Sequence, residues 1–142
     1  MKQEFEKFLK SSWGLEIWLA CPPKSRLAGR RRGNLIFRSK KAGVAGLLAF
    51  IQKHDKKYSN LVIFDKIVGR GAALLAAYLK AKEIYGKTGS KLAAKSLRKY
   101  KIKFYSQKTV PNILNRDQTG LCPFEKLSLG KTPEKFYKCL IK

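Results

Sequence analysis

Acidic residues are scarce in this chain of 142 residues, which has 9 Asp and Glu against 32 Lys and Arg. The formal net charge of +23 is extreme for a small domain. Such a field attracts polyanions and speeds their encounter with the protein. Nucleic acid is therefore one predicted partner, with phosphate contacts supplying the affinity. The alternative is a lysine-rich composition that carries no function.

Histidine and cysteine are too few for the common metal sites. The single histidine, His54, lies in a charged stretch just after a helical pattern, and we expect an exposed residue at a helix end. The three cysteines, Cys21, Cys122 and Cys139, form no C-x-x-C pair. A disulfide framework or a four-cysteine zinc site is therefore not expected. The sequence predicts no metal and no cofactor.

Long apolar runs are also missing, since none approaches the roughly 20 residues needed to cross a bilayer. Residues 1–10 alternate charges with Phe5, Phe8 and Leu9, and they lack the apolar segment and cleavage site of a signal peptide. We therefore expect a cytoplasmic protein without a membrane partner. Its 44% of hydrophobic residues suffices for one packed core, so residues 1–142 are predicted to form a single domain.

The hydrophobic pattern predicts alternating helices and strands, as is typical of an α/β domain. Helices are predicted within residues 1–14, 43–53, 67–80, 90–100 and 131–142, and strands at 15–19, 34–38, 61–64, 83–85 and 102–105. The first two strands form a hairpin with a long basic loop, residues 21–33. The continuous apolar run Leu61–Phe64 is typical of a central strand. We expect a mixed sheet layered by helices, with the last three strands as neighbours or near neighbours.

One candidate site lies where this central strand is predicted to give way to a helix, at Asp65. Open α/β sheets bind ligands at the carboxyl ends of their strands, and helix N-termini offer free N–H groups to anions. Lys66 and Arg70 are four residues apart and would extend from one face of the first turns, while Gly69 and Gly71 would let a ligand approach. The alternative is that Asp65 is a simple N-cap and the glycines allow close packing.

A second candidate segment is the polar loop that begins at Asn115 and is followed by Cys122 and Glu125. Two of the three Asp of the chain lie in these two segments. The predicted ligand-binding residues are Asp65, Lys66, Gly69, Arg70, Ser90, Asn115, Arg116, Asp117 and Glu125, with Ser90 at a second helix N-terminus. The alternative for Asn115 and Asp117 is stabilisation of a turn. Cys122 is either a buried small hydrophobe or a nucleophile activated by Arg116 and Lys126.

Two basic stretches are candidate nucleic-acid contacts. The loop 21–33 contains Arg30, Arg31 and Arg32, and the run from Lys87 to Lys108 contains no acidic residue. In that run Lys91, Lys95 and Lys99 fall on one helical face, and aromatic residues interleave. Bases with aromatics suit backbone contacts plus base stacking. The alternative is a solvated helix face opposite core aromatics.

Both candidate segments resemble the signature of a prokaryotic family, domain of unknown function 1893 (DUF1893). Residues 65–75, DKIVGRGAALL, are similar to the family's DKVVGKAAALL pattern, and residues 110–125, VPNILNRDQTGLCPFE, to its VPxIxNRDGTGLCPME pattern. The resemblance covers roughly residues 15–125. Arg70 stands where lysine is usual, Gly71 replaces alanine, Gln118 replaces glycine and Phe124 replaces methionine.

The resemblance implies a cytidine-deaminase-like fold, a three-layer α/β/α sandwich. Zinc deaminases need H-x-E or C-x-E at the start of one helix and P-C-x-x-C at the start of the next. The corresponding positions here read Asp65-Lys66-Ile67 and Thr88-Gly89-Ser90-Lys91, so zinc-dependent deamination is not expected. Three hypotheses follow: a pocket for a nucleotide or similar anionic ligand, an RNA-binding module, and an enzyme with Cys122 as nucleophile.

Overall fold

Helices and strands alternate along the part of the chain that the computed structural model describes, residues 2–20, 33–55, 57–113, 120 and 122–141. The elements are α1 Lys2–Lys10, β1 Leu15–Leu19, β2 Asn34–Ser39, α2 Gly43–His54, β3 Leu61–Val68, α3 Arg70–Tyr78, β4 Glu83–Ser90, α4 Lys91–Lys99, β5 Lys103–Val110, α5 Pro123–Ser128 and α6 Pro133–Leu140. This order confirms the predicted α/β class. None of the helices described is long and apolar enough to span a bilayer.

The five strands form one mixed sheet in the order β2-β1-β3-β4-β5. β1 runs antiparallel to both β2 and β3, whereas β3, β4 and β5 are parallel. The predicted hairpin, the central position of Leu61–Phe64 and the adjacency of the last three strands are therefore confirmed. Residues 21–32 of the predicted basic loop, including Arg30, Arg31 and Arg32, lie outside the described residues.

The two faces of the sheet are covered very differently. On one face, side chains such as Ile17 and Ile63 pack against α2, α3 and α4 in the main core, which Phe136 of α6 completes. On the other face, the nine-residue helix α1 inserts Phe8 against Val62 and Phe64. The architecture is therefore an α/β sandwich with one full helical layer and one small one.

The boundary between β3 and α3 lies later in the chain than predicted. β3 continues through Val68, Gly69 occupies the N-cap position, and α3 begins at Arg70. The predicted helix start at about Ile67 is therefore wrong, and so is the placement of Asp65 at the strand end. The apolar run ends at Phe64, but pairing with β4 holds the chain extended as far as Val68.

Three other predicted helix ends, at Ser90, Thr132 and His54, are confirmed in position. The side chains of Ser90 and Thr132 cap α4 and α6 by accepting from the N–H groups of Ala93 at 2.9 Å and Lys135 at 3.3 Å. His54 lies in the last turn of α2, as predicted. It is half-buried rather than exposed, because its ring packs 4.9 Å from Phe50 and 5.5 Å from Tyr58.

Candidate ligand-binding cleft

A cleft of about 180 Å³ lies at the carboxyl end of β3, where the starts of α2, α3 and α5 meet. Its walls include Ile67 and Gly69 from the first sequence segment, and Cys122, Phe124 and Glu125 from the second. The two segments identified in the sequence therefore meet at one place. The lining is mainly apolar, with few polar groups, which is typical of small-molecule sites.

Glu125 closes one end of the cleft by capping α3. Its side chain is 2% exposed, and its two carboxylate oxygens accept from different backbone N–H groups. Oε1 accepts from Arg70 N, and Oε2 accepts from Ile113 N at 2.7 Å. Gly69 makes room for this contact, because a Cβ there would lie 3.0 Å from Oε1. A negative charge at this point also stabilises the positive end of α3.

Asp65 lies behind the wall of the cleft and is fully buried. Its Oδ1 accepts from Gly43 N at 2.9 Å and Ile67 N at 3.2 Å, while Oδ2 has no hydrogen-bond partner among the described residues. Asp65 therefore caps α2 from a distant strand, and the alternative interpretation, in which Asp65 is the N-cap of the following helix, is wrong. Burial raises the pKa of its carboxyl from the usual 3.8 to about 7, and the backbone donors offset only part of this effect.

Lys66 and Arg70 extend to opposite sides of the sheet. Lys66 Nζ lies on the side of α1, where it donates to Ser11 O at 2.8 Å and sits 4.9 Å from the ring centroid of Phe8. Arg70 donates to Ser96 Oγ at 2.6 Å on the other side. The prediction that both cations extend from one helix face is wrong, because Lys66 belongs to β3 and shares the face of Phe64, whereas Arg70 begins α3, which packs on the other face.

The guanidinium of Arg70 joins three elements, so we expect it to have a structural role. Besides Ser96 it donates to Ser128 O at 3.1 Å and to Lys131 O at 3.4 Å. Arg70→Met should lower the free energy of unfolding by about 2 kcal/mol, because these acceptors lose a charged donor. Urea denaturation measures the change, and Arg98→Met, at an exposed position of α4, is the control. Equal stability of the two variants would contradict the structural role.

The other predicted site residues are placed as follows. Ser90 is buried and its Oγ is engaged in capping α4. Lys91, Lys95 and Lys99 are exposed on α4, as expected for either interpretation of that face. Asn115, Arg116 and Asp117 lie outside the described residues.

Cys122 is half-buried at the N-cap position of α5 and lines the cleft. His54 lies at the opposite end of α2, whose first residue, Gly43, lines the same cleft. A separation of eleven residues corresponds to about 16 Å along a helix. No histidine is therefore positioned to activate Cys122. Within the described residues, no group of three or more His, Cys, Asp and Glu could hold a metal ion.

The sequence interpretation missed the contribution of α2 to the cleft. Ala42, Gly43, Val44 and Ala45 line it, and no side-chain hydrogen bond caps the helix at its N-cap residue, Ala42. The first N–H groups of a helix have no intrahelical partner. Of those in α2, only the N–H of Gly43 donates to Asp65. The sequence feature that indicates this uncapped helix start is Ala42, an apolar residue at the N-cap position, where Ser, Thr, Asp or Asn is usual.

The comparisons with known proteins point to one family. The model of the family described as "Domain of unknown function (DUF1893)" matches residues 25–141. A solved structure of a DUF1893 family protein from Thermotoga maritima is similar to this chain with a TM-score of 0.77 and 26% sequence identity, covering 99% of this chain and 86% of that chain. No curated protein matches the chain.

Proposed function

Because the chain belongs to the DUF1893 family, whose description names no activity, we propose a function from the cleft: it binds a small anionic ligand of the nucleotide class. The observation that carries this proposal is the convergence of both signature segments and the start of α2 on one apolar cleft. The predicted cytidine-deaminase-like topology and cytoplasmic location stay predictions.

The apolar walls support a ligand with a flat ring system. Ile67 and Phe124 line the cleft and are 44% and 40% exposed, which is high for large hydrophobic side chains. Removing such surface from water stabilises a complex by about 25 cal/mol per Å². A nucleobase that contacts both side chains would gain this contribution. Its polar edge would then face the backbone that lines the cleft.

The start of α2 supports an anionic group on the same ligand. The starts of α2 and α3 both reach the cleft, and the N–H of Arg70 at the start of α3 is already bound by Glu125. In α2 the N–H groups of Val44 and Ala45 have no intrahelical partner, and the helix dipole favours a phosphate or carboxylate there. Lys66 and Arg70 have no part in this revised site.

The test is a substitution that introduces a carboxylate side chain, which would occupy the first N–H groups of α2 in place of the ligand. Ala45 is exposed at the third position of α2, from which a glutamate can fold back onto the first amides. We expect nucleoside mono-, di- or triphosphates to raise the melting temperature of the wild type, and Ala45→Glu to weaken that binding at least about ten-fold. Calorimetric titration gives the affinities.

Ala49→Glu is the matched control, because Ala49 is exposed one turn further along α2 and does not line the cleft. It carries the same added charge and should bind as the wild type does. The proposal fails if no nucleotide of the series binds the wild type, or if Ala45→Glu and Ala49→Glu bind equally.

A second candidate function is nucleic-acid binding, which the burial of the acidic residues favours. Of the 9 acidic residues, Asp117 lies outside the described residues, and Glu4, Glu16, Asp65 and Glu125 are buried. The solvent-exposed surface is therefore even more basic than the composition of the chain indicates. Affinity for RNA should fall linearly with salt concentration on logarithmic axes, and binding insensitive to salt would contradict this function.

A further inference from the structure

The sheet face that carries α1 is incompletely covered over β4 and β5. Tyr85 and Tyr105 are register partners on these strands and lie on the same face as Phe64. A groove of about 540 Å³ lies between this part of the sheet and α1 beyond the contact of Tyr85 with Phe5, and is lined by Lys2, Phe5, Glu6, Leu9, Ser106 and Gln107 as well as both tyrosines. The groove has three times the volume of the ligand cleft and is bordered by residues of the edge strand β5.

The two tyrosines form a fixed aromatic stack. Tyr85 contacts Phe64 with 5.4 Å between ring centroids and Phe5 with 5.2 Å. Tyr105 stacks on Tyr85 at 4.7 Å with an interplanar angle of 24° and is nevertheless 47% exposed. One ring face of Tyr105 therefore contacts Tyr85, and the other is available at the sheet edge to a planar group.

Lysines surround this stack. Lys87 and Lys103 are exposed and lie two residues from Tyr85 and Tyr105, so they extend from the same face. Burial lowers the pKa of Lys66, and the positive charge of Lys87 lowers it further. The nearest acid on β4, Glu83, accepts from the Tyr85 hydroxyl at 3.2 Å, and Glu16 binds Arg38 at 2.9 Å.

We propose that this face binds single-stranded nucleic acid, with a base stacked on the outer ring face of Tyr105 and phosphates held by Lys87, Lys103 and Lys2. The inference rests on the second proposed function and gives it a site. Stacking on aromatic side chains with lysines along the backbone is the recurrent means of binding single strands. The bases of a duplex are stacked on each other and present no free ring face to Tyr105.

The experiment measures fluorescence anisotropy of labelled oligonucleotides of about ten nucleotides. Oligo-U, oligo-dT and a matched duplex are compared over about 50 to 200 mM salt. Tyr105→Ala should weaken single-strand binding by roughly 5- to 100-fold, while Tyr105→Phe retains the ring and should bind like the wild type. RNA and DNA should bind alike, because bases and phosphates are common to both.

The matched controls distinguish binding at this face from attraction by the overall positive charge of the protein. Lys87→Gln with Lys103→Gln should weaken binding and reduce the salt slope by about 0.7 for each phosphate that the variant no longer neutralises. Lys135→Gln with Lys138→Gln removes the same charge from exposed positions of α6, and Leu129→Ala removes an exposed side chain remote from this face. Both controls should retain most of the affinity.

Four results would overturn the proposal. The first is single-strand binding by Tyr105→Ala within about two-fold of the wild type. In that case the site is wrong, although nucleic-acid binding itself stands. The second is equal affinity for the duplex. The third is a wild type that binds neither strand, in which case the nucleic-acid function fails as well. Sedimentation of each variant shows whether a second copy of the chain occupies the face instead, which would also contradict the proposal.

Discussion

Asp65→Asn is expected to increase the free energy of unfolding at about pH 8 by about 3 kcal/mol and to decrease it slightly at about pH 4. The folded state raises the pKa of this carboxyl from 3.8 to about 7, so it binds the proton more tightly than the unfolded chain does. The stability of the wild type should therefore fall as pH rises from about 4 to about 7 and stay level above that range. This rise of the pKa from 3.8 to about 7 corresponds to about 4 kcal/mol.

The asparagine removes this charge and keeps an oxygen that can accept from Gly43 and Ile67. Its amide group, where Oδ2 has no partner among the described residues, costs about 1 kcal/mol as an unsatisfied donor. Urea denaturation at several pH values measures the difference between variant and wild type, and Asp55→Asn at an exposed position is the control. A difference that does not change with pH would contradict the raised pKa.

Glu125→Ala is expected to lower the free energy of unfolding by about 3 to 4 kcal/mol. The substitution leaves the N–H groups of Arg70 and Ile113 without their acceptor and removes the charge at the start of α3. Glu125→Gln should cost about half as much, since its single oxygen can accept from only one of the two donors. Denaturation gives the values, and hydrogen exchange at Arg70 N reports the cap itself.

Glu134→Ala is the matched control for this prediction. Glu134 is an exposed acid in the first turn of α6 and should contribute no more than about 0.5 kcal/mol. If Glu125→Ala is no more destabilising than Glu134→Ala, Glu125 does not hold α3 and α5 together. This prediction does not depend on any ligand. It therefore tests how the cleft is held together even while the ligand is unidentified.

The helices and strands could be predicted from local sequence patterns, because the apolar residues of those patterns are the residues that the fold buries. The apolar run Leu61–Phe64 predicted a central strand since both faces of β3 are covered there. Ser90 and Thr132 marked helix starts because their hydroxyl groups satisfy amides three residues later in the chain. Each of these signals depends on residues that are close in sequence.

The details of the candidate site could not be predicted, because they depend on partners distant in sequence. Asp65 stood out as a rare acid, but its acceptor role towards Gly43 joins residues 22 positions apart. Glu125 caps a helix that begins 55 positions earlier. Lys66 follows the apolar run and is predicted to lie at a helix start, whereas pairing with β4 keeps it in a strand, and its side chain extends to the α1 side of the sheet.

The position of β5 at the end of the sheet has a consequence for the behaviour of the protein in concentrated solution. One side of this strand pairs with β4, and its other side faces no strand of the described sheet. An unpaired edge is a template for strands of other molecules, and lysines along it oppose such association. Lys103 and Lys108 stand on β5, so neutralising them would expose an eight-residue strand to aggregation. The positive charge of this chain thus also keeps its copies apart.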